Sequence, residues 1–196
     1  MQKRRRIKND TYCPYRPRAD HVGGAAMGTH CYIAKEVGPD QYRTIFCQLD
    51  GYLEEVGAKL AAHYDTEEQV DKLLNLGDVY SLRAKLNPDP SLPHEPMNTQ
   101  KDVSVFYGRD YGESGMEATI KKMEDFEDND DWCEFLYVFK PQEGWSFLQY
   151  GQYDELRNLK ETLDQYGINY RPEVQSQETE PEQSDNGEEE TYEQKM

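Results

Sequence analysis

The sequence predicts an α+β domain: an antiparallel sheet of about five strands, two hairpins plus one, with three to four helices packed on one face. Three observations predict it. Two pairs of β-rich segments are joined by tight-turn signals, Gly38-Pro39-Asp40 and Pro141-Gln142-Glu143-Gly144. Three other segments repeat apolar residues at helical spacing. Strands that follow one another across tight turns pair antiparallel, and helices then cover their shared apolar face.

In chain order, Cys31–Val37 reads as a strand, and Tyr42–Leu49, rich in β-formers, as its hairpin partner ended by Asp50-Gly51. Tyr52–Tyr64 reads as a helix because Leu53, Val56, Leu60 and Tyr64 recur at its period. Asp50 is positioned to accept amides of its first turn, and Glu54 and Glu55 complement its positive end. Gly57 inside it costs about 1 kcal/mol relative to alanine, which a close backbone approach would explain. Thr66-Glu67-Glu68-Gln69 is a capping-box pattern opening a second helix, with Val70, Leu73, Leu74 and Leu76 inward and Gly77 as its left-handed terminator. Tyr80–Leu86 reads as a short turn, and Asn87–Pro96, with four prolines, as a loop. Lys101–Tyr107 reads as a strand, Gly108–Gly115 as a polar loop, Met116–Phe126 as a helix and Glu124–Asp131 as an acidic run. Phe135–Lys140 and Trp145–Tyr150 form the second hairpin. Asp154–Tyr166 is an amphipathic helix with Leu156, Leu159 and Leu163 inward.

The chain divides by charge. Residues 1–28 hold Lys3, Arg4, Arg5, Arg6, Lys8, Arg16 and Arg18 without any period, and are expected to form a disordered basic extension. Residues 29–170 are the acidic α+β domain. Residues 171–196, rich in Glu, Gln, Ser and Thr, lack the apolar surface to fold and are expected to be a disordered acidic tail. The net charge of −17 belongs mostly to the domain, so its surface repels nucleic-acid phosphates and anionic lipid and favours a basic partner. Direct nucleic-acid binding is therefore not expected. No apolar run approaches the ~18 residues a membrane span needs.

Cys13, Cys31, Cys47 and Cys133 have no Cys-x-x-Cys spacing, which fits reduced thiols in a cytoplasm. Aligned first strands would gather His30, Cys31 and Cys47. Zinc asks for four ligands in near-tetrahedral geometry, and the paired spacing of such sites is missing, so buried free thiols are the expectation. The acidic run, with Glu124, Asp125, Asp128, Asp130 and Asp131, lacks the central glycine and terminal glutamate of a calcium loop. It reads as a solvated loop or a docking patch for a basic partner. The sequence contains no Gly-x-Ser-x-Gly, no phosphate-cradling glycine loop and no His-Glu-x-x-His. No residue is assigned as catalytic, and no metal or cofactor is expected.

One stretch carries a resemblance. Cys47-Gln48-Leu49-Asp50-Gly51-Tyr52-Leu53-Glu54-Glu55-Val56-Gly57 is similar to the strand–turn–helix signature Tyr-Cys-His-Trp-Asp-Gly-Tyr-Pro-Glu-Gly-Val-Gly of small phage, prophage and plasmid proteins without an assigned activity. Cys47, Asp50, Gly51, Tyr52, Glu54, Val56 and Gly57 match. Gln48, Leu49, Leu53 and Glu55 depart, so any role of the usual histidine is missing here. The likeness continues through His63-Tyr64, Val70, Leu73, Leu76-Gly77-Asp78, Ser81-Leu82 and Tyr107-Gly108-Arg109-Asp110, over roughly residues 30–150. It implies a mobile-element origin and leaves the chemistry open.

Charge, missing catalytic pattern and resemblance together point to an accessory protein in a host cytoplasm that binds a host protein with a basic surface, as a takeover or anti-defence inhibitor does. Two alternatives stand beside it. One is a small enzyme acting on a nucleotide or similar molecule, with Asp50, Tyr52, Tyr107 and Arg109 converging on one site. The other is a virion or assembly component.

Overall fold

The structure, a computed structural model, describes residues 28–127, 132–152 and 155–171. The two expected tails, apart from Gly28 and Arg171, lie outside those residues, as do Asp128, Asp130 and Asp131 of the acidic run.

Among the described residues, eight strands form one sheet: β1 Cys31–Gly38, β2 Gln41–Cys47, β3 Val79–Ser81, β4 Val105–Phe106, β5 Thr119–Lys121, β6 Phe135–Lys140, β7 Gly144–Gln149 and β8 Arg157–Asn158. Their order is β4-β3-β2-β1-β6-β7-β8, with β5 beside the first half of β2. Both expected hairpins form. Cys31 lies opposite Cys47 in one, and Phe135 opposite Gln149 in the other. Asp40 (φ 49°) and Gly144 (φ 80°) make their left-handed corners, a conformation glycine and aspartate tolerate best.

The expectation of a five-stranded antiparallel sheet is corrected by how the hairpins join. β6 runs parallel to β1, from Cys31 opposite Phe135 to Lys35 opposite Phe139, and β3 meets β2 in parallel at Cys47 and Val79. The sheet is therefore mixed. Parallel neighbours require a crossover of a dozen or more residues. Two helices supply the one between β2 and β3: α1 Ala58–His63 and α2 Glu67–Leu74.

Three more helices are α3 Tyr107–Asp110, α4 Met123–Glu127 and α5 Leu159–Gln165. Several expected boundaries shift. The helix expected from Tyr52 begins as a π turn, Leu53–Gly57, that runs into α1. Asp50 is no side-chain cap: it is left-handed (φ 58°), and its backbone carbonyl accepts the Val56 amide at 3.1 Å. Tyr80, expected in a turn, lies in β3. The strand expected over 101–107 shrinks to β4 because Tyr107 opens α3. The expected 116–126 helix is β5 followed by α4. Of the expected 154–166 helix, Arg157–Asn158 pairs as β8 and only α5 is helical.

α2 follows its sequence closely. Thr66 accepts the Gln69 amide and the Gln69 side chain returns to the Thr66 amide. Gly77 ends the segment at φ 79°, and a Cβ there would stand 2.2 Å from the Met116 carbonyl oxygen. Gly77→Ala is therefore expected to cost more than the ~1–2 kcal/mol of left-handed strain alone, read as a lower urea midpoint.

Both sheet faces are buried. On one, Ile33, Ile45, Tyr137 and Phe147 pack beneath Val56, Leu60, Leu73, Leu159 and Leu163 of the helices. On the other, Tyr32, Ala34, Leu136 and Val138 pack with Phe126 of α4. Helices on one face only is thus corrected: α4 covers part of the second. Lys35, 5% exposed, ends the first face, and its ammonium pairs with Asp71 (2.7 Å) and Glu67 (2.9 Å) of α2. Burial lowers its pKa, but the two carboxylates outweigh burial and raise it. The tether therefore holds below the ordinary lysine value and is lost as pH rises through the folded one.

Candidate functional site

The corner after β2 is built by close packing. The Gly51 amide donates to the Thr29 carbonyl at 2.8 Å, and a Cβ on Gly51 would meet the Thr29–His30 backbone at 2.9 Å. A Cβ on Gly57 would lie 3.2 Å from the Tyr137 hydroxyl, which itself donates to the Gly51 carbonyl at 2.9 Å. The two glycines of the signature stretch thus have a structural reason. Tyr52 is 36% exposed beside them.

Arg109 and Asp110 form a structural clamp. The guanidinium donates in a fork to both Asp110 oxygens (2.7 Å each), to the Leu86 carbonyl (2.5 Å) and to the Ser104 carbonyl (2.6 Å), and lies 5.0 Å over the Phe106 ring. Its donors are committed to the protein itself. His94 closes the cluster: its Nδ1 lies 3.2 Å from the Gln100 amide, and its Nε2 lies 3.4 Å from the Arg109 guanidinium and 3.6 Å from Asp110. Tyr107 packs its ring against Tyr80 and Tyr111 at 5.9 and 5.7 Å. Among the described residues, Asp50, Tyr52, Tyr107 and Arg109 line neither of the two cavities discussed below.

The strand alignment that would gather Cys31 and Cys47 does occur. His30 turns away from the thiols: its ring packs on Phe46 at 5.6 Å, and its Nδ1 lies 2.6 Å from the Gln48 carbonyl. Among the described residues no group of three or more His, Cys, Asp or Glu is placed to hold a metal. Burial, then a hydrogen bond with Cys47, pushes the Cys31 thiol well above its ordinary pKa. A neutral thiol is a poor nucleophile. Iodoacetamide at mildly alkaline pH is therefore expected to spare Cys31, and to miss Cys47 because it is fully buried, until denaturant is added, as peptide mass mapping would report.

The second sheet face holds a recess of about 310 Å³, lined by Met123, Phe126, Leu136, Leu148, Tyr150 and Leu156. Two carboxylates, Glu127 and Glu155, also line it. Through Glu155 and Leu156 it adjoins a polar cleft of about 590 Å³ between β8 and α5, which adds Glu161 and Arg157. Lys121 spends its charge on aromatic faces, 4.4 Å from the Tyr32 ring centroid and 5.8 Å from that of Phe126. Glu124 and Asp125 lie in the first turn of α4, outside the recess lining, and Asp125 accepts the Lys122 amide at 2.7 Å.

Trp132 is the outlier. It is 84% exposed, and its backbone is left-handed at φ 57°. Its neighbour Cys133 is buried with the core of the second face. A bulky residue in this conformation is strained, and strain of this kind clusters at functional positions. Sequence reasoning missed both Trp132 and the recess. The available signal was the uninterrupted apolar run Phe135–Phe139, which marks a strand buried on both faces.

In comparisons with known proteins, the chain matches no family model, no curated protein and no solved structure. Among the described residues no helix is long and apolar enough to cross a membrane.

Proposed function

We propose that this chain is a binding protein that uses the second face of its sheet to capture a positively charged segment of another protein. Trp132 carries the reading: a large, almost fully exposed aromatic, held in a strained backbone, directly after an acidic run and next in sequence to Cys133, which packs in the same second-face core as Phe126 and Leu136 of the carboxylate-lined apolar recess. Tryptophan dominates interface hot spots, and its face attracts ammonium and guanidinium groups. The net charge of −17 steers such partners toward it. The resemblance of residues 47–57 supports a phage or mobile-element origin. On that basis the partner is a host protein with a basic surface, and the outcome is inhibition of a host process. The committed guanidinium of Arg109 weighs against the enzyme reading.

A fluorescein-labelled lysine–leucine repeat peptide is a suitable probe, with binding followed by anisotropy at low ionic strength. Trp132→Ala is expected to weaken it about 30-fold, the ~2 kcal/mol of a hot-spot aromatic, and added salt to weaken it further. Trp132→Gly removes ring and strain together, so binding should fall while the urea midpoint stays level or rises. No binding by the unaltered chain, or equal affinity in the alanine variant, overturns the proposal.

A further inference from the structure

The first described residues reach the recess across two strands. The Glu134 amide donates to the His30 carbonyl at 2.9 Å, and the Tyr150 amide donates to the Glu134 carbonyl at 3.0 Å. Two strand spacings of ~4.8 Å therefore separate His30 from Tyr150, which lines the recess. The His30 ring lies on Phe46, which packs against the second-face core. His30 thus contacts the core of the face that carries the recess, while Gly28 before it lies against Gln48 and Leu49 after β2.

The residues before Gly28 have the complementary composition. Tyr12 and Tyr15 sit between Lys8 and the pair Arg16 and Arg18, with Lys3, Arg4, Arg5 and Arg6 further out. This is an apolar pair flanked by cations, set against an apolar hollow with Glu127 and Glu155 in its lining. Reach is ample: Tyr15 precedes Gly28 by 13 residues, which span up to ~40 Å when extended.

We infer that residues 1–27 are an intramolecular occupant of this recess, a tethered competitor that an incoming basic partner must displace. The inference rests on the binding reading above and adds regulation to it. A tether of this length holds its ligand at an effective concentration near the millimolar range, so even a weak contact occupies the site and lowers apparent affinity for anything in trans. A partner must then be more basic, or better anchored, than the head itself, which sets a threshold against casual association with cationic surfaces.

Carbodiimide cross-linking of the full chain tests it, since the reagent joins an amine to a carboxylate only in direct contact. Mass mapping of the monomer at low ionic strength should recover Lys3 or Lys8 joined to Glu127 or Glu155. The triple variant Arg4→Gln, Arg5→Gln, Arg6→Gln should lose most of those products and bind the lysine–leucine peptide about tenfold more tightly. Absence of these cross-links from the monomer overturns the inference, as does unchanged peptide affinity in the triple variant. Peptide binding that depends on Trp132, without the cross-links, leaves the binding reading standing and removes only the tethered competitor. Cross-links in a chain whose triple variant still ignores the peptide remove the binding reading, and the competitor role with it.

Discussion

Arg109→Ala is expected to destabilise the domain by about 3–5 kcal/mol, the usual result of leaving a buried charge without its partner. Asp110 has a side chain only 5% exposed, and the Arg109 fork is its main compensation. The same guanidinium ties the Leu86 and Ser104 carbonyls together, so its loss also releases the segment between them, which contains the proline-rich loop. Arg109→Lys keeps a charge but loses the planar fork, and should recover only a minor part. Equilibrium urea unfolding decides it: an alanine variant within 1 kcal/mol of the unaltered chain would show that the clamp is incidental.

The clamp also sets an acid limit. Burial pushes the Asp110 pKa up, but hydrogen bonds from Arg109 and the Phe106 amide, with the charges of Arg109 and His94, outweigh it and hold the carboxyl below its ordinary value. The folded state therefore favours the carboxylate. Its stabilisation is complete above the ordinary aspartate pKa near 3.9, and is lost as pH falls through the lower folded value. In Arg109→Ala that acid-dependent loss should be smaller, which a pH series of unfolding midpoints would reveal.

Tyr137→Ala should be as damaging, at about 3–5 kcal/mol, because the ring is fully buried against Phe135 and Phe147 at 6.0 and 6.3 Å. Tyr137→Phe separates the hydroxyl from the ring. It leaves the Gly51 carbonyl without its 2.9 Å donor, at a cost of about 1–3 kcal/mol. Burial pushes this phenol well above its ordinary pKa, reinforced by Cys31 and Cys47, so it remains a neutral donor. Equal losses in the two variants would mean that the ring contributes little beyond its hydroxyl.

Local features were readable in the sequence wherever one short stretch decides them. The capping box at Thr66, the left-handed Gly77 and the two hairpin turns depend on neighbours only a few residues away. The α+β class followed from the same signals. The parallel pairing of β1 with β6 did not, because it joins residues about a hundred apart and no local pattern encodes it. Leu156 keeps helical spacing with Leu159 and Leu163, yet it packs on the opposite sheet face because β8 intervenes. Of the candidate site residues, Arg109 was noticed for its charge but is consumed by Asp110 next to it. Glu124 and Asp125 share α4 with Met123, Phe126 and Glu127 of the recess but are not among its lining residues. Trp132 escaped notice because an exposed aromatic leaves no periodic trace.

The parallel β1–β6 seam has a consequence for synthesis. A ribosome that has released the first hairpin holds a central strand whose second partner, Phe135–Lys140, is still untranslated. Until that segment emerges, the apolar β1 edge is open to neighbouring nascent chains. Ribosomal pausing before that segment should then yield aggregates, whereas pausing beyond Gln149 should be harmless.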